Sequence, residues 1–420
     1  MNHDLLSCAL EPANLLKAWK QVRSNKGAPG IDGVTIDAYP DFAKQHWPSV
    51  RQALLDGTYK PSPVLRAVIE KPDGGERLLG IPTVQDRVIQ QAIVQVLTPI
   101  FDPGFSNSSF GYRPGRSAQD AVQQVKRYIK QGLHQAVDVD LSKFFDTVSH
   151  DVLMSRVARN INDKRLLKLI GCYLRAGVMI DGQCYPTRVG MPQGGPLSPL
   201  LSNVLLDDLD KELEYRGHCF ARYCDDFVIL VGSQRSGERV MDSITRYLER
   251  RLKLTVNPTK SEVVKATKAE FLSFTFTGKK IRWTEKSLRC FRRQVLKLTS
   301  RSWGVSMGYR LRKLTEYIRG WMGYFRITEY YRPIPLLDQW IRRRIRCCFI
   351  KQWRKPKTRY RNLVRLGVDH IKAAGIAISS KGYYRLSKTF ATQQALNDSY
   401  LAKLGLVSLK DLWIRFHYPR

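Results

Sequence analysis

The pattern of hydrophobic and polar positions divides this chain into helices and short strands that follow no fixed period. Apolar residues recur at helical spacing in five segments, at 14–22, 84–97, 151–176, 197–213 and 237–251. Runs of β-prone residues bounded by turn residues predict strands at 64–70, 76–81, 135–141 and 270–277. Neither a βαβ succession nor an internal repeat of roughly 20–50 residues is present. The order of elements therefore predicts a mixed α+β fold.

One predicted hairpin carries two adjacent carboxylates at its turn. The apolar runs 219–221 and 227–231 flank Asp225 and Asp226, which is the pattern of two strands joined by a tight turn. Adjacent aspartates repel each other, and burying the pair is costly unless a cation compensates for it. Hard divalent ions are the natural compensation. By itself the pair is a weak indication of a metal site, because two aspartates in a surface turn are common.

A second predicted strand adds a third acid. Asp138 and Asp140 stand two residues apart, so they share one face of that strand. Together with Asp225 and Asp226 they would form a carboxylate cluster contributed by two strands. Two metal ions about 3.5–4 Å apart need such a cluster for in-line phosphoryl transfer. For Asp138, and for Asp146 further along, a solvated loop acid is the better interpretation.

The net charge of the chain indicates which class of partner it binds. The 420 residues carry a net charge of +33, which implies a polyanionic partner, nucleic acid first. The excess is concentrated beyond a boundary near residue 280, because residues 281–370 hold 24 Lys and Arg against 5 Asp and Glu. Apolar residues recur there at helical spacing, with cations on the opposite faces. We therefore expect an acid-containing catalytic part, followed by a basic helical part that contacts nucleic acid.

Other features argue against a membrane protein and against a zinc site. No apolar run approaches the ~20 residues of a membrane-spanning helix, and the N-terminus lacks the charged and apolar regions of a signal peptide. The eight cysteines include no C-x-x-C pair, so a zinc site of the usual spacing is not expected. Scattered cysteines suit a reducing compartment. We expect a cytoplasmic protein.

Several blocks of sequence, collinear along the chain, resemble those of reverse transcriptases. The segments 140–146 (DLSKFFD) and 223–226 (YCDD) resemble motifs A and C of that family. The remaining blocks resemble the reverse transcriptase/maturase proteins of group II introns, close to the type that lacks an endonuclease domain. They lie at 26–33, 71–82, 110–114, 191–199, 254–260 and 318–325. The resemblance covers essentially the whole chain.

The resemblance implies a right-hand polymerase, in which fingers and palm precede a helical thumb and maturase domain X. Residues 1–60 would form an N-terminal extension and the start of the fingers, and 61–280 the fingers and palm. Residues 281–364 would form the thumb and domain X, and 365–420 a small region that resembles a DNA-binding one.

The resemblance also implies roles for individual residues. Asp140, Asp225 and Asp226 match the catalytic metal-binding triad, and Leu141 joins them in the metal site. The residues that match nucleotide-binding positions are Lys71, Arg77, Phe145, Gln193 and Lys260. The residues expected to contact nucleic acid are Tyr223, Arg312, Lys313, Arg319, Arg342, Arg343, Arg344 and Arg346.

For two of these residues the resemblance implies a specific chemical role. Phe145 would pack beneath the sugar, where a bulky ring clashes with a 2′-hydroxyl and so favours dNTPs over NTPs. Lys260 matches a proton donor to pyrophosphate, and a simply solvated lysine is an equal alternative for it.

The expected reaction is RNA-directed DNA synthesis with dNTPs and two Mg²⁺ ions, for which Mn²⁺ is a possible substitute. The expected partners are template or intron RNA, a DNA primer and target DNA, with a homodimer left open. A role in group II intron splicing and retrohoming is part of this expectation, and so is a bacterial cytoplasmic setting. The alternatives are a domesticated relative in DNA repair or phage defence, a non-catalytic splicing cofactor and, less favoured, a viral-type RNA polymerase.

Two departures from the family pattern stand out. Cys224 replaces the alanine that is usual between the tyrosine and the two aspartates. Cysteine is also small, so we expect catalysis to survive. The chain has no Cys/His-rich endonuclease tail, so we do not expect it to nick the second strand of target DNA.

Overall fold

The computed structural model describes residues 4–70 and 75–419. The chain divides into two units, residues 1–271 and 272–420. The first unit mixes helices with two four-stranded sheets, and the second is mainly helical. This order of elements confirms the predicted α+β class. The finer boundaries at 60, 280 and 364 remain predictions.

The first unit consists of helices packed around two sheets. Its described helices are α1 (Leu5–Ala9), α2 (Pro12–Ser24), α3 (Tyr39–Leu55), α4 (Val84–Phe101), α5 (Ala118–Lys130), α6 (Phe144–Thr147), α7 (His150–Val157), α8 (Lys164–Leu174), α9 (Leu197–Tyr215) and α10 (Gln234–Tyr247). A π-helical segment, Leu248–Leu252, continues α10. Its described strands are β1 (Val64–Glu70), β2 (Glu76–Ile81), β3 (Gln135–Val139), β4 (Val178–Ile180), β5 (Gln183–Tyr185), β6 (Cys219–Tyr223), β7 (Asp226–Val231) and β8 (Glu262–Lys265).

The central sheet has the strand order β6-β7-β3-β8, and all of its neighbouring strands are antiparallel. Its side chains alternate between two faces. Val137, Phe227 and Ile229 face the main hydrophobic core, to which α9 and α10 also contribute. By the same alternation Asp138 faces the other way. The sheet therefore has an apolar face covered by helices and a second face that carries carboxylates.

Helix α10 lies very close to the apolar face of the central sheet. A Cβ atom on Gly237 would stand 2.5 Å from Cγ1 of Val263 and 3.5 Å from Cγ2 of Val137. Any side chain at this position would collide with the sheet, so glycine is what allows the helix to approach. The contact holds α10 against the strands that lead to the acidic turn.

The hairpin sheet has the strand order β2-β1-β4-β5. Strands β1 and β2 pair in antiparallel fashion from Leu65–Ile81 to Glu70–Glu76, and β1 pairs in parallel with β4. The two strands predicted from the sequence at 64–70 and 76–81 are confirmed. Residues 71–74, between the two strands, lie outside the described residues.

Two predicted elements differ from the structure. The helix expected over 151–176 is two helices, because the Asp163 side chain accepts hydrogen bonds from the amides of Arg165 and Leu166 and so begins α8 as a new helix. The strand expected over 270–277 begins only at Phe274. Leu272 and Ser273 precede it with φ angles of 51° and 67°, which a β-strand does not permit.

The second unit begins with an antiparallel hairpin of β9 (Phe274–Thr277) and β10 (Lys280–Trp283). Its helices are α11 (Glu285–Leu298), α12 (Met307–Tyr324), α13 (Pro333–Gln352), α14 (Pro356–Arg365), α15 (His370–Ile378), α16 (Tyr383–Leu386), α17 (Phe390–Ala395), α18 (Asp398–Lys403) and α19 (Leu409–His417). Trp321 packs with Trp283 and Phe325, with ring centroids 5.1 and 4.8 Å away. Trp321 therefore has a packing role in this unit.

Within the described residues, no helix is both long enough and apolar enough to span a bilayer.

Candidate active site

The acidic residues predicted to form the catalytic triad lie at one end of the central sheet. The pairing of β3 with β7 places Val139 opposite Phe227. Asp140 lies just beyond β3, and continuing this register by one step puts it opposite Asp226, the first residue of β7. Residues directly opposite in an antiparallel pair have Cα atoms about 4.5–5.5 Å apart. The backbone thus makes neighbours of two acids that are 86 positions apart in the chain.

Asp225 lies in the tight turn between β6 and β7. Tyr223 pairs with Asp226 at the end of this hairpin, so Cys224 and Asp225 form a two-residue loop. The predicted hairpin with its acids at the turn is confirmed. All three acids are therefore at the same end of the two adjacent strands β3 and β7.

The backbone of Asp140 is held by the loop that precedes β8. Its amide donates a 3.0 Å hydrogen bond to Oγ of Ser261, and its carbonyl accepts a 2.8 Å bond from the amide of Asn257. The next residue, Leu141, is buried and forms an isolated bridge with Val256. Lys260 is an exposed residue of the same loop. These bonds fix the direction in which the backbone leaves β3 at Asp140. Lys260, a residue of the same loop, is therefore at the same end of the central sheet.

The donor set is suited to Mg²⁺, which prefers oxygen ligands and is commonly bound by one or two carboxylates together with substrate phosphates. If an ion binds here, Asp140, Asp225 and Asp226 would supply carboxylates and the main chain at Leu141 would supply a carbonyl. Within the described ranges, however, no three His, Cys, Asp or Glu side chains already stand in positions that could hold an ion. The backbone brings the three aspartates to one end of the sheet, but their carboxylates are not directed at one common ion position.

The acidic turn has an unusual backbone. Cys224 has a φ angle of 61°, whereas Asp225 is not among the residues with positive φ, a pattern that resembles a type II′ turn, which normally has glycine at this position. Cys224 is only 4% exposed. Burial, followed by the neighbouring Asp225 carboxylate, raises the pKa of its thiol to about 12. The thiol is therefore neutral and adds no charge beside the two aspartates.

A glycine lets a neighbouring segment pass directly under this turn. A Cβ atom on Gly111 would stand only 2.4 Å from the amide nitrogen of Cys224. The Gly111 carbonyl accepts a 2.8 Å hydrogen bond from Nδ2 of Asn203 on α9. The acidic turn consequently rests on backbone rather than on mobile side chains.

A buried arginine supports the turn from within the hairpin. Arg222 has no exposed surface and forms an ion pair with Asp210 of α9, which is also fully buried. Its guanidinium also donates to the Cys224 carbonyl and to Oδ1 of Asn203, both at 2.9 Å, and to Oγ of Ser109 at 2.9 Å. Burial alone lowers the pKa of Arg222, but the Asp210 carboxylate raises it above its ordinary value. The arginine stays charged and joins α9, the segment beside β6 and the turn.

A cavity of about 340 Å³ lies between the hairpin sheet and the helix that follows β3. Phe145 and Gln193, two predicted nucleotide-binding residues, both line it, together with Arg66 and Lys143. Arg77 donates from Nε to Oε1 of Gln193 at 3.2 Å. The structure thus brings three of the five predicted residues together. Lys71 lies outside the described residues.

The chain matches two family models. Residues 69–276 match the reverse transcriptase (RNA-dependent DNA polymerase) family, and residues 288–367 match the maturase-specific domain of group II introns. Protein YkfC of Escherichia coli is 32% identical over 299 residues, which cover 62% of this chain and 78% of YkfC. This chain belongs to the group II intron reverse transcriptase/maturase family. It is by family an RNA-directed DNA polymerase, as the sequence predicted.

Two further comparisons give the extent of this likeness. The group II intron-encoded protein LtrA of Lactococcus lactis is 31% identical over 310 residues, which cover 69% of this chain and 51% of LtrA. This chain therefore spans about half the length of LtrA. A chain of a Cas6-RT-Cas1–Cas2 complex is 28% identical with a TM-score of 0.39, and the match covers 58% of this chain and 42% of that one.

The predicted nucleic-acid contacts of this reverse transcriptase differ in their surroundings. Tyr223 is half-buried beside Tyr112. Arg312 and Arg319 are exposed on α12, and Lys313 forms an ion pair with Glu316 at 2.8 Å. These cations lie on an accessible helix face, as nucleic-acid contact requires.

The four predicted arginines of α13 have partners inside the second unit instead. Arg342 and Arg346 both form ion pairs with Asp398, and Arg346 is only 8% exposed. The guanidinium of Arg344 donates to the hydroxyl and carbonyl of Thr299, and that of Arg343 lies 3.4 Å from the ring centroid of Tyr384. Each guanidinium thus has a partner within the second unit, while Arg342, Arg343 and Arg346 also line a cleft of about 680 Å³. Sequence periodicity could not show these partners, since they come from distant helices. Contact of these residues with nucleic acid stays a prediction.

Two features of the site differ from what the sequence predicts. Arg222 was not singled out, although an arginine inside an apolar strand is a signal for a buried ion pair. Asp138 was expected to be a solvated loop acid, and this is wrong. It lies in β3 opposite Glu262, and burial, with Glu262 and Asp140 adding to it, raises its pKa to about 7.

We predict that Arg222→Ala lowers the free energy of unfolding by about 3–5 kcal/mol, because it leaves the Asp210 carboxylate buried without a partner. Replacing both residues, as Arg222→Met with Asp210→Leu, should recover much of that stability. Primer extension by the double variant should stay slow, since the Cys224 carbonyl still lacks its donor. Urea denaturation and single-turnover extension measure the two effects.

Arg216→Ala, which breaks a less buried ion pair with Glu212, is the control and should cost about 1 kcal/mol or less. Equal losses at Arg222 and Arg216 would refute the support role.

We predict that Cys224→Ala changes the extension rate by less than about threefold, whereas Cys224→Val lowers it by about tenfold or more. A β-branched residue is strongly disfavoured at a φ of 61°, and such strain costs about 1–3 kcal/mol. Steady-state extension on one primer–template is the measurement. A fully active valine variant would show that the turn tolerates a different backbone.

Proposed function

We propose that this chain extends a DNA primer on an RNA template at the end of strands β3 and β7, using two Mg²⁺ ions. The observation that supports this most directly is the register that sets Asp140 opposite Asp226, with Asp225 in the adjoining turn. When bound, the ions would lower the pKa of the primer 3′-hydroxyl and stabilise the pyrophosphate that leaves.

The cavity beside the hairpin sheet is the proposed place for the incoming dNTP. Phe145 and Gln193 line it, and Arg77 reaches the same glutamine from β2. A guanidinium can bind phosphate oxygens through two parallel hydrogen bonds, so Arg77 would hold the triphosphate. Gln193 would position the nucleotide, and the Phe145 ring would exclude a 2′-hydroxyl. The exposed Lys260 would donate a proton to pyrophosphate.

The second unit is proposed to contact the RNA–DNA duplex and the intron RNA. Arg312 and Arg319 on α12 are its most exposed candidates, and Lys313 lies beside them. The arginines of α13 are further candidates that already have partners within the unit. Contacts of this kind go to the phosphate backbone and carry no sequence information. We further propose a role in group II intron splicing and retrohoming in a bacterial cytoplasm. The eight cysteines, all unpaired, are consistent with that setting.

We predict that Asp140→Asn, Asp225→Asn and Asp226→Asn each lower primer extension by at least about 100-fold, while the affinity for an RNA–DNA duplex stays unchanged. Even outer partners of a metal ligand cost about 10–100-fold, so a ligand itself should cost at least as much. Gel-based extension with Mg²⁺, together with a separate duplex titration, makes the measurement. Asp138→Asn is the matched control, because Asp138 lies two residues before Asp140 on the same face of the strand. This variant should remain active. Extension that survives in any of the three variants would contradict the metal assignment.

We predict that Phe145→Ala lowers the preference for dNTPs over NTPs by roughly tenfold or more, because removing a steric clash is worth about 1–3 kcal/mol. Phe145→Tyr keeps the bulk of the ring and should keep the preference. The ratio of kcat/KM for dATP and ATP on one template is the measurement. An unchanged ratio in the alanine variant would remove the steric role.

A further inference from the structure

The first unit also contains a concentration of cations, which lies away from the acidic turn. A cleft of about 740 Å³ opens between α7, α9, α10 and the π-helical segment that follows α10. Among the residues that line it are seven cations and two acids, a net charge of +5. Six of the seven cations are arginines. We call it the arginine cleft.

The arginine cleft and the proposed catalytic acids are on different faces of the central sheet. Helix α10 touches Val137 through Gly237, and Val137 belongs to the core face. Asp138, and Asp140 beyond it, point to the opposite face by strand alternation. Along α9, Arg216 is 13 residues beyond Asn203, which contacts the segment under the turn. At 1.5 Å per residue this is about 20 Å. The cleft is not part of the catalytic site.

Part of the charge in the cleft is neutralised internally. Asp208 forms ion pairs with both Arg156 and Arg159, at 3.0 and 2.5 Å. Glu212 pairs with Arg216 at 2.6 Å. These pairs use both acids of the cleft, and they hold α7 and the end of α9 in place.

Three arginines remain available to a ligand. Arg246 donates only to the Asp242 carbonyl of its own helix, and neither it nor Arg250 nor Arg251 has an acidic partner in the part of the chain that the structure describes. All three are exposed. Like charges at this density repel one another and weaken the folded state. An external anion that binds several of them would remove this repulsion.

The chemistry of the cleft favours a phosphate backbone over an acidic peptide. Guanidinium groups bind phosphate oxygens in pairs, and the cleft volume exceeds what one phosphate group needs. Its lining offers one aromatic ring, Tyr247, and no aliphatic side chain. Protein interfaces normally depend on buried apolar residues, which this cleft does not provide. Tyr247 is itself already engaged, with the Arg216 guanidinium 5.9 Å from its ring centroid.

We propose that the arginine cleft is a second RNA-binding site, which holds the phosphate backbone of structured RNA on the face of the sheet opposite the catalytic acids. Arg246, Arg250 and Arg251 supply the contacts. Arg156, Arg159 and Arg216 shape the cleft through their ion pairs. An RNA bound here leaves the primer–template site free, so one molecule binds two RNA segments at once.

The test uses the full chain saturated with an RNA–DNA primer–template. A labelled RNA hairpin with a duplex stem of unrelated sequence is then titrated at several salt concentrations. The variant Arg250→Glu with Arg251→Glu is compared with Lys164→Glu with Lys168→Glu, which changes the net charge equally at exposed positions of α8 outside the cleft. Primer extension at saturating primer–template reports whether each variant is folded.

We expect the wild-type chain to bind the hairpin in addition to the primer–template. The Arg250/Arg251 variant should bind it roughly tenfold more weakly, and the slope of log K against log salt should fall by about 1.4–1.8, since each of the two lost phosphate contacts removes about 0.7–0.9. The neutral variant Arg250→Gln with Arg251→Gln should show about half the loss in log affinity. Primer extension and the α8 control should be unchanged.

Three results would overturn the proposal. The wild-type chain could fail to bind the hairpin once primer–template is saturating. The cleft variant and the α8 control could lose equal affinity, which would indicate only the overall charge. A polyglutamate peptide could bind the wild-type chain, and not the cleft variant, while the hairpin binds both equally; the cleft would then be a site for an acidic protein.

Discussion

The antiparallel register of β3 with β7 is the constraint on which the active site depends. It is set by the apolar side chains of the two strands, since Val137, Phe227 and Ile229 are completely buried. A shift of β3 by one residue would turn Val137 to the opposite face and bring the Asp138 carboxylate into the core. Burial of a valine side chain is worth about 1.5–3 kcal/mol, so the core favours one register. The position of Asp140 beside Asp226 is therefore a consequence of core packing rather than of any attraction between the two acids.

The acids themselves work against this arrangement. Three carboxylates at one end of a sheet repel one another, and Asp138 adds a fourth close by, whose pKa is raised first by burial and then by Glu262 and Asp140. The Arg222–Asp210 ion pair lies just beneath them and is buried without any access to water. Such a pair contributes little net stability compared with apolar residues of the same size. Its contacts with the Cys224 carbonyl, Asn203 and Ser109 suggest that what it provides is a defined position for the turn.

The two faces of the central sheet divide the work of the first unit. One face carries the carboxylates, which are proposed to bind Mg²⁺. Beyond the helices that cover the other face lies the arginine cleft, which is proposed to bind RNA phosphates. In a chain with a net charge of +33, the acidic and the basic site would thus be kept apart by the sheet. The cations of the second unit are likewise divided between exposed positions on α12 and internal ion pairs on α13.

The sequence by itself determined the class of fold, the acidic hairpin and the family, because these depend on local alternation, turn residues and collinear motifs. It also identified Phe145, Gln193 and Arg77, which the structure brings together around one cavity. Only the tertiary structure decided which arginines are available. The guanidinium groups of Arg344 and Arg346 donate hydrogen bonds to partners about 45–50 positions away. Arg246, Arg250 and Arg251 have no acidic partner among the described residues. Periodicity along a helix gives the face on which a charge lies, whereas its partner is determined by which distant element packs against that face.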